Sequence, residues 1–367
     1  MSDESQARPA HRPAVENRKL RLIVGVISPL RSILPEIAAV CAAFLVGAII
    51  LWVTGHPIWD TFYRLFHGAF GTRTAIGTTL TRATPLIFTG LAFAVAFKCG
   101  LFNIGAEGQL QVGAFAAAWI GFALPPLPPL FHITLAFAAG AVAGVLWALI
   151  PAVLRAKRGV HEVVTTMMFA HVGILLTRYF AFGPFKAEGW IPHTERIAAT
   201  AQLARIMPPT QLSTALFVAL FCALAVYWFL WKTAPGYGIR AAGLNPPAAE
   251  AGGVPIARSI ILALLLSGAL AGLGGAGEIL GVFRRFVDGF SPGYGWDGIA
   301  VGLLGRLHPV GIVLSALLFG ALRVGGMAVD RVTDVPADIA VILQATVVLF
   351  IAAPKLMNFI RRREHTR

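Results

Sequence analysis

Three carboxylates in this 367-residue chain, Glu107, Glu278 and Asp297, stand among apolar neighbours. An ionisable side chain in such surroundings is costly, so it either lines a route for polar solutes or answers an opposite charge. Glu107 lies in Asn103-Ile104-Gly105-Ala106-Glu107-Gly108-Gln109, between two strongly apolar stretches. Gly100, Gly105 and Gly108 let the chain turn there, while Asn103, Glu107 and Gln109 supply polar groups for a backbone released from helix. This is the pattern of a broken membrane helix, and two readings stay open. Glu107 either braces the inner end of its own helix or lines a permeation path.

Asp297 sits in a second glycine-interrupted block, Gly293-Tyr294-Gly295-Trp296-Asp297-Gly298-Ile299-Ala300-Val301-Gly302-Leu303-Leu304-Gly305-Arg306. Its apolar part, 298–304, is too short to span a bilayer and reads as a half-helix with an acid before it and a base after it. Trp296 and Arg306 also suit simple anchoring at the membrane interface. Glu278 and Arg323 each fall inside an apolar segment, and a structural ion pair between them is one reading. Contact of either with a transported solute is the other. Nucleotide-binding, zinc-protease and nucleophile-elbow patterns are all missing from the sequence. No catalytic site of these kinds is therefore expected, and no metal site and no cofactor of the chain's own.

A different chemistry is written in residues 236–254, a polar stretch of small side chains. Here Pro246-Pro247-Ala248-Ala249-Glu250-Ala251 is helix-compatible and bracketed by Gly243 and Gly252. Such a stretch predicts a short compact helix standing proud of the membrane and able to dock in a partner's groove. It is longer and more patterned than a helix connection requires.

The elements that must hold these residues are apolar. With 57% hydrophobic and 13% charged residues and a mean hydropathy of +0.75, the chain is an all-α polytopic membrane protein. About ten segments are expected: 33–53, 75–97, 110–124, 131–154, 163–180, 213–231, 259–282, the short piece 298–304, 310–327 and 339–353. An amphipathic stretch with Trp59, Phe62, Tyr63, Leu65 and Phe66 follows the first. The net charge of +13 would suit nucleic acid in a soluble protein. Here the basic residues flank apolar segments, so the surface they face is membrane lipid and no nucleic acid is expected. The positive-inside rule places both termini, Arg155 to Arg158 and the 232–258 loop in the cytoplasm. Arg64, Arg73 and Arg82 are exceptions near the outer end of the second segment. Residues 1–30 and 358–367 read as basic cytoplasmic tails, the first disordered, around one membrane domain at 31–357. Cys41, Cys99 and Cys222 have no ligand spacing and are expected to pack as small apolar residues.

The block Phe102 to Gln109, the Gly243-Leu244-Asn245 loop, and Gly295 to Val301 with Leu304-Gly305-Arg306 together resemble the ABC-importer permeases for nucleosides and simple sugars. These belong to the branched-chain amino acid and ribose permease superfamily. The resemblance spans about residues 35–355 and leaves the N-terminal tail outside. It implies the cobalamin-importer class of fold, with two inverted halves, in the cytoplasmic membrane. It further implies pairing with a second, related permease subunit, two cytoplasmic ATPase subunits that use the ATP, and an external binding lipoprotein. By the same resemblance the 236–254 loop receives the ATPase stroke, with Arg240, Gly243, Leu244, Asn245, Ala248, Glu250 and Gly252 as its coupling residues.

Two other functions compete on the residues alone. An ion-coupled secondary transporter of a small polar solute also uses broken helices and intramembrane carboxylates, but it has no need of a coupling loop. A membrane enzyme would require a cluster of His or acidic residues, and the adjacent pair His161-Glu162, without further ligands nearby, reads as a polar helix end.

Overall fold

The computed structural model describes residues 37–350, apart from 334, 337 and 340. Both expected tails lie outside the described residues. Helices α1 (Ile37–Val53) and α2 (Ile58–Phe70) lead into α3 (Arg73–Lys98), α4 (Ala106–Ala123), α5 (Pro129–Arg158) and α6 (Glu162–Phe182). After a long loop come α7 (Ala215–Lys232), α8 (Ala234–Leu244), α9 (Pro246–Ala251), α10 (Ile256–Glu278), α11 (Tyr294–Leu304) and α12 (Pro309–Asp330). Helix α13 (Val341–Phe350) closes the described chain.

Among the described residues six helices are long and apolar enough to cross a bilayer: α3, α5, α6, α7, α10 with its terminal turn, and α12. The expectation of about ten spanning segments is therefore met only in part. Helices α1 and α13 are too short as described, and α4 and α11 begin at chain breaks. The protein is a multi-pass membrane protein nonetheless, and its large exposed apolar residues, such as Leu146, Met168, Leu175, Phe221 and Trp228, suit contact with lipid.

Helix α3 is the central element, with 83% of its most apolar window buried. It packs on α10, and a reciprocal pattern surrounds the pair: α4 and α5 lie against α10, whereas α11 and α12 lie against α3. Small residues set how closely these helices approach. A Cβ on Gly272 of α10 would collide with the carbonyl of Gly140 on α5, so the two backbones touch without a side chain between them. Dispersion over such a contact, rather than water exclusion, holds helices together in lipid.

Helix α2 has a stripe of Thr61, Leu65 and Ala69 turned inward, with Trp59 and Tyr63 exposed. Arg64 and Asp60 pair along its surface at 2.6 Å. At one end of the bundle, the 183–214 loop folds over the end of α10. The Thr194 amide donates to the Phe286 carbonyl (3.0 Å) and the Ile197 amide to the Arg284 carbonyl (2.9 Å). Cys99 and Cys222 are buried as expected of small apolar residues, but Cys41 is exposed on α1.

Candidate functional site

The first break is a re-entrant segment. After Lys98 the chain turns through Gly100 in the left-handed region (φ 76°) and runs from Leu101 to Gly105 before α4 begins. Its backbone donors are met by side chains: the Phe102 amide by Glu162 Oε1 (3.3 Å), the Ile104 amide by Thr166 Oγ1 (3.2 Å) and the Gly105 amide by Asn103 Oδ1 (2.9 Å). Asn103 Nδ2 donates to Gln109 Oε1 (3.0 Å) and to Ser267 Oγ (2.8 Å), and the Ser267 hydroxyl donates onward to the Ala92 carbonyl (2.7 Å). The break is thereby tied to α6, α10 and α3, as a dry interior demands of freed backbone. Gly105 and Gly108 lie directly against the α6 backbone at Thr166 and Ala170.

Glu162 and Thr166 are the contributors that the sequence reading missed. The signal was the acid at the very start of α6, immediately after the basic turn. Glu162 is buried, and its Oε2 also lies 3.2 Å from Arg155 Nε.

Glu107 reaches beyond its own helix. From the first turn of α4 its Oε2 accepts the amide of Gly295 (2.7 Å), in the first turn of α11, and the side chains of Ser291 and Gln111 also hydrogen-bond to the carboxylate. Two helix N-termini, each with partial positive charge, thus meet at one buried carboxylate. Gly295 is required for the approach, because a Cβ there would run into the Glu107 backbone. Gly298, one turn on, lies against Thr89 of α3 in the same way.

The second break has a sharper exit. Helix α11 spans 11 residues, a rise of about 16 Å or half the ~30 Å hydrocarbon core. Arg306 and Leu307 then both adopt left-handed conformations (φ 53° and 57°), each costing a non-glycine residue about 1–2 kcal/mol. The Leu307 amide to the Gly302 carbonyl (3.0 Å) and the His308 amide to the Gly305 carbonyl (3.0 Å) hold this reversal, so that α12 starts at once.

The proposed pairing of Glu278 with Arg323 is corrected by the structure. Arg323 Nη2 donates to Asp297 Oδ2 at 3.1 Å, and its guanidinium stands 5.4 Å from the centre of the Tyr294 ring. Buried Glu278 instead faces the charge of Arg82, whose Nη1 donates to the Tyr294 hydroxyl at 3.0 Å. Tyr294 is fully buried and separates the two arginines. One network, Glu278, Arg82, Tyr294, Arg323 and Asp297, therefore joins α10, α3, α11 and α12. Neighbouring Trp296 is half-exposed beside His171 of α6.

At the other end of α3 the expected single projecting helix is two. Helices α8 and α9 bend at Asn245, whose Oδ1 accepts the Ala248 amide (3.2 Å) and caps α9. Helix α8 is not proud of the bundle: Gly236, Gly238, Ile239 and Ala242 are buried, and Gly243 abuts the Lys98 carbonyl and Gly100. Leu244, Asn245, Ala248, Glu250 and Gly252 are exposed beyond it. Arg240 Nε donates to the Leu230 carbonyl (2.9 Å) while its guanidinium lies 5.9 Å from the Trp231 ring centre. Lys98 Nζ also lies over Trp231 (5.5 Å), and His308 packs on that ring at 5.3 Å. Burial and the Lys98 charge push the His308 imidazole below its ordinary pKa. Trp231 thus connects α8, α3, α7 and the α11–α12 turn. Among the described residues no group of three or more His, Cys, Asp or Glu is placed to hold a metal ion.

Over 91% of its length the chain is 35% identical to the guanosine ABC transporter permease protein NupP of Bacillus subtilis, covering 97% of that relative. It is 36% identical over 88% of its length to the nucleoside ABC transporter permease protein NupB of Lactococcus lactis subsp. cremoris, covering 91% of it. The glucose ABC transporter permease protein TsgB13 of Haloferax volcanii is 36% identical, with 86% of each chain covered. Residues 75–352, which include both helix breaks, the charge network and helices α8 and α9, match one family. The chain accordingly belongs to the branched-chain amino acid transport system permease component family and is a membrane-embedded transport subunit of an ABC transporter, not an enzyme.

Proposed function

We propose that this chain is a permease subunit of an importer that moves nucleosides, with simple sugars as the neighbouring substrate class. The observation that carries the reading is near full-length similarity to permeases named for guanosine, nucleosides and glucose. ATP is hydrolysed by partner ATPase subunits, and the chain binds no cofactor itself. A second related permease and an external binding lipoprotein complete the assembly. The basic residues Arg155, Lys157, Arg158, Lys232 and Arg240 orient the α8–α9 end toward the cytoplasm, with both termini on that side of the cell membrane.

In this reading α8 and α9 receive the ATPase stroke. Leu244, Asn245, Ala248, Glu250 and Gly252 form the contact surface, while Arg240 and Gly243 pass motion to Trp231 and the end of α3. The reciprocal packing of α4 and α5 on α10, and of α11 and α12 on α3, supports two inverted halves of the cobalamin-importer class. Ten segments result when α1, α4, α11 and α13 are counted with the six long helices. Rocking of the half-helix α11 against α3 and α12 then exposes polar groups alternately to the two sides.

The test is uptake of radiolabelled guanosine, uridine and glucose by cells lacking their own carriers and expressing this permease with its partner subunits. Uptake is expected to stop when ATP is depleted and to survive collapse of the proton gradient. The reverse pattern would establish an ion-coupled carrier and overturn the assignment.

A further inference from the structure

A cavity of about 450 Å³ lies at the end of the bundle opposite α8, walled by α3, α12, α13 and the 287–292 loop. Its volume falls within the ~300–1,000 Å³ of small-ligand sites. Arg82, Arg323, Asp288, Asp338 and Gln344 line it, with Phe283 and Met327 supplying apolar surface. Four charged residues around one cavity in an apolar bundle are expensive to maintain unless a polar solute passes there. Arg82 lies 16 residues before Lys98 on α3, about 24 Å from the coupling end, so the cavity belongs to the outer half.

The charge arrangement restricts what fits. Arg82 faces Glu278 and Arg323 holds Asp297, so neither guanidinium has an unmatched charge to offer a phosphate. Asp288 is itself matched by Arg178 at 3.4 Å. Asp338 brings a further carboxylate to the wall, which repels anions and accepts hydrogen bonds from hydroxyl groups. Arg323 Nη1 is buried with no hydrogen-bond acceptor, leaving donor capacity at the inner wall. Resting on the function proposed above, we infer that this cavity is a substrate-holding vestibule for a neutral, hydroxyl-rich solute. It takes the nucleoside, with its base against Phe283 and Met327 and its sugar hydroxyls toward Asp338 and Gln344, and it rejects the phosphorylated form.

Half-buried Met327 provides the probe. In the assembled transporter, with exposed Cys41 changed to Ser, Met327→Cys is treated from outside with a membrane-impermeant maleimide. Labelling is expected, with at least fivefold slowing by millimolar guanosine and none by guanosine monophosphate. Equal protection by both, or by neither, overturns the inference. Met327→Trp, which fills the cavity, is expected to lower guanosine uptake at least tenfold while the permease is still present in the membrane and copurifies with its ATPase subunits. Undiminished uptake by that variant overturns the inference as well. Val341→Cys, which lines the same cavity from α13, replaces Met327→Cys if the latter fails to reach the membrane. A wild-type transporter that moves neither nucleosides nor sugars would instead overturn the function proposed above.

Discussion

The Glu107 carboxylate on α4 accepts a 2.7 Å hydrogen bond from the Gly295 amide on α11, across 188 residues of sequence. It joins the N-termini of the two helices that begin inside the bundle. A carboxylate is favourable there because both ends present unpaired amide donors and positive partial charge. Glu107→Ala leaves those donors dry, at a cost of about 1–3 kcal/mol. Melting of the purified permease in detergent should shift down accordingly, with Glu107→Gln, which keeps an acceptor, much closer to wild type. Equal losses in both variants would show that the negative charge, rather than the hydrogen bond, is what counts.

The Arg323–Asp297 pair should behave as a coupled unit. Both side chains retain some exposure, 19% and 27%, so a coupling of about 1–3 kcal/mol is expected, less than for a fully dry pair. Asp297→Asn and Arg323→Met should each destabilise more than the double variant does, because each alone strands its partner. A double-mutant cycle on thermal unfolding measures this, and additive effects would rule out the coupling.

Trp231 is expected to set how tightly ATP use is linked to transport. Trp231→Leu removes the contacts with Lys98 and Arg240, each worth about 0.5–1 kcal/mol at partly exposed sites. The assembled transporter should continue to hydrolyse ATP but import several-fold less solute per ATP. Trp231→Phe should lie between. Measuring uptake and phosphate release in the same proteoliposomes gives the ratio, and an unchanged ratio would remove Trp231 from the coupling route.

The turn between α11 and α12 should weaken in acid. Burial and Lys98 depress the His308 pKa below the ordinary value, about 6.5. The unfolded or opened turn therefore binds more protons in that region than the native one. Stability is fully present above about pH 6.5 and is lost progressively as pH falls below it. Limited proteolysis of the turn between pH 8 and pH 5 should reveal this, and His308→Gln should flatten the profile.

Glu250 and Leu244 are both exposed, so their substitution should leave folding untouched. Glu250→Ala and Leu244→Ser are expected to keep the melting temperature while reducing copurification of the ATPase subunits. Normal copurification and uptake in both variants would displace the contact surface from α8 and α9.

The sequence by itself determined the membrane class, both helix breaks and a short helix at the Pro-Pro-Ala-Ala-Glu-Ala run. Glycines flanking Glu107 and Asp297, and the Pro-Pro-Ala-Ala-Glu-Ala run, are local signals, because a missing Cβ or a fixed proline φ acts within a few residues. Tertiary structure alone decided which charges meet. Glu278 and Arg323 looked like partners because both lie in apolar segments, yet linear spacing carries no information about which faces of two helices touch. Packing of α10 against α3 brings Arg82 to Glu278 and leaves Arg323 to Asp297. For the same reason Glu107 read as a support for its own break. Only the close approach of α11, permitted by Gly295, makes it the cap of another helix, while Glu162 and Thr166 from α6 satisfy amides of the first break.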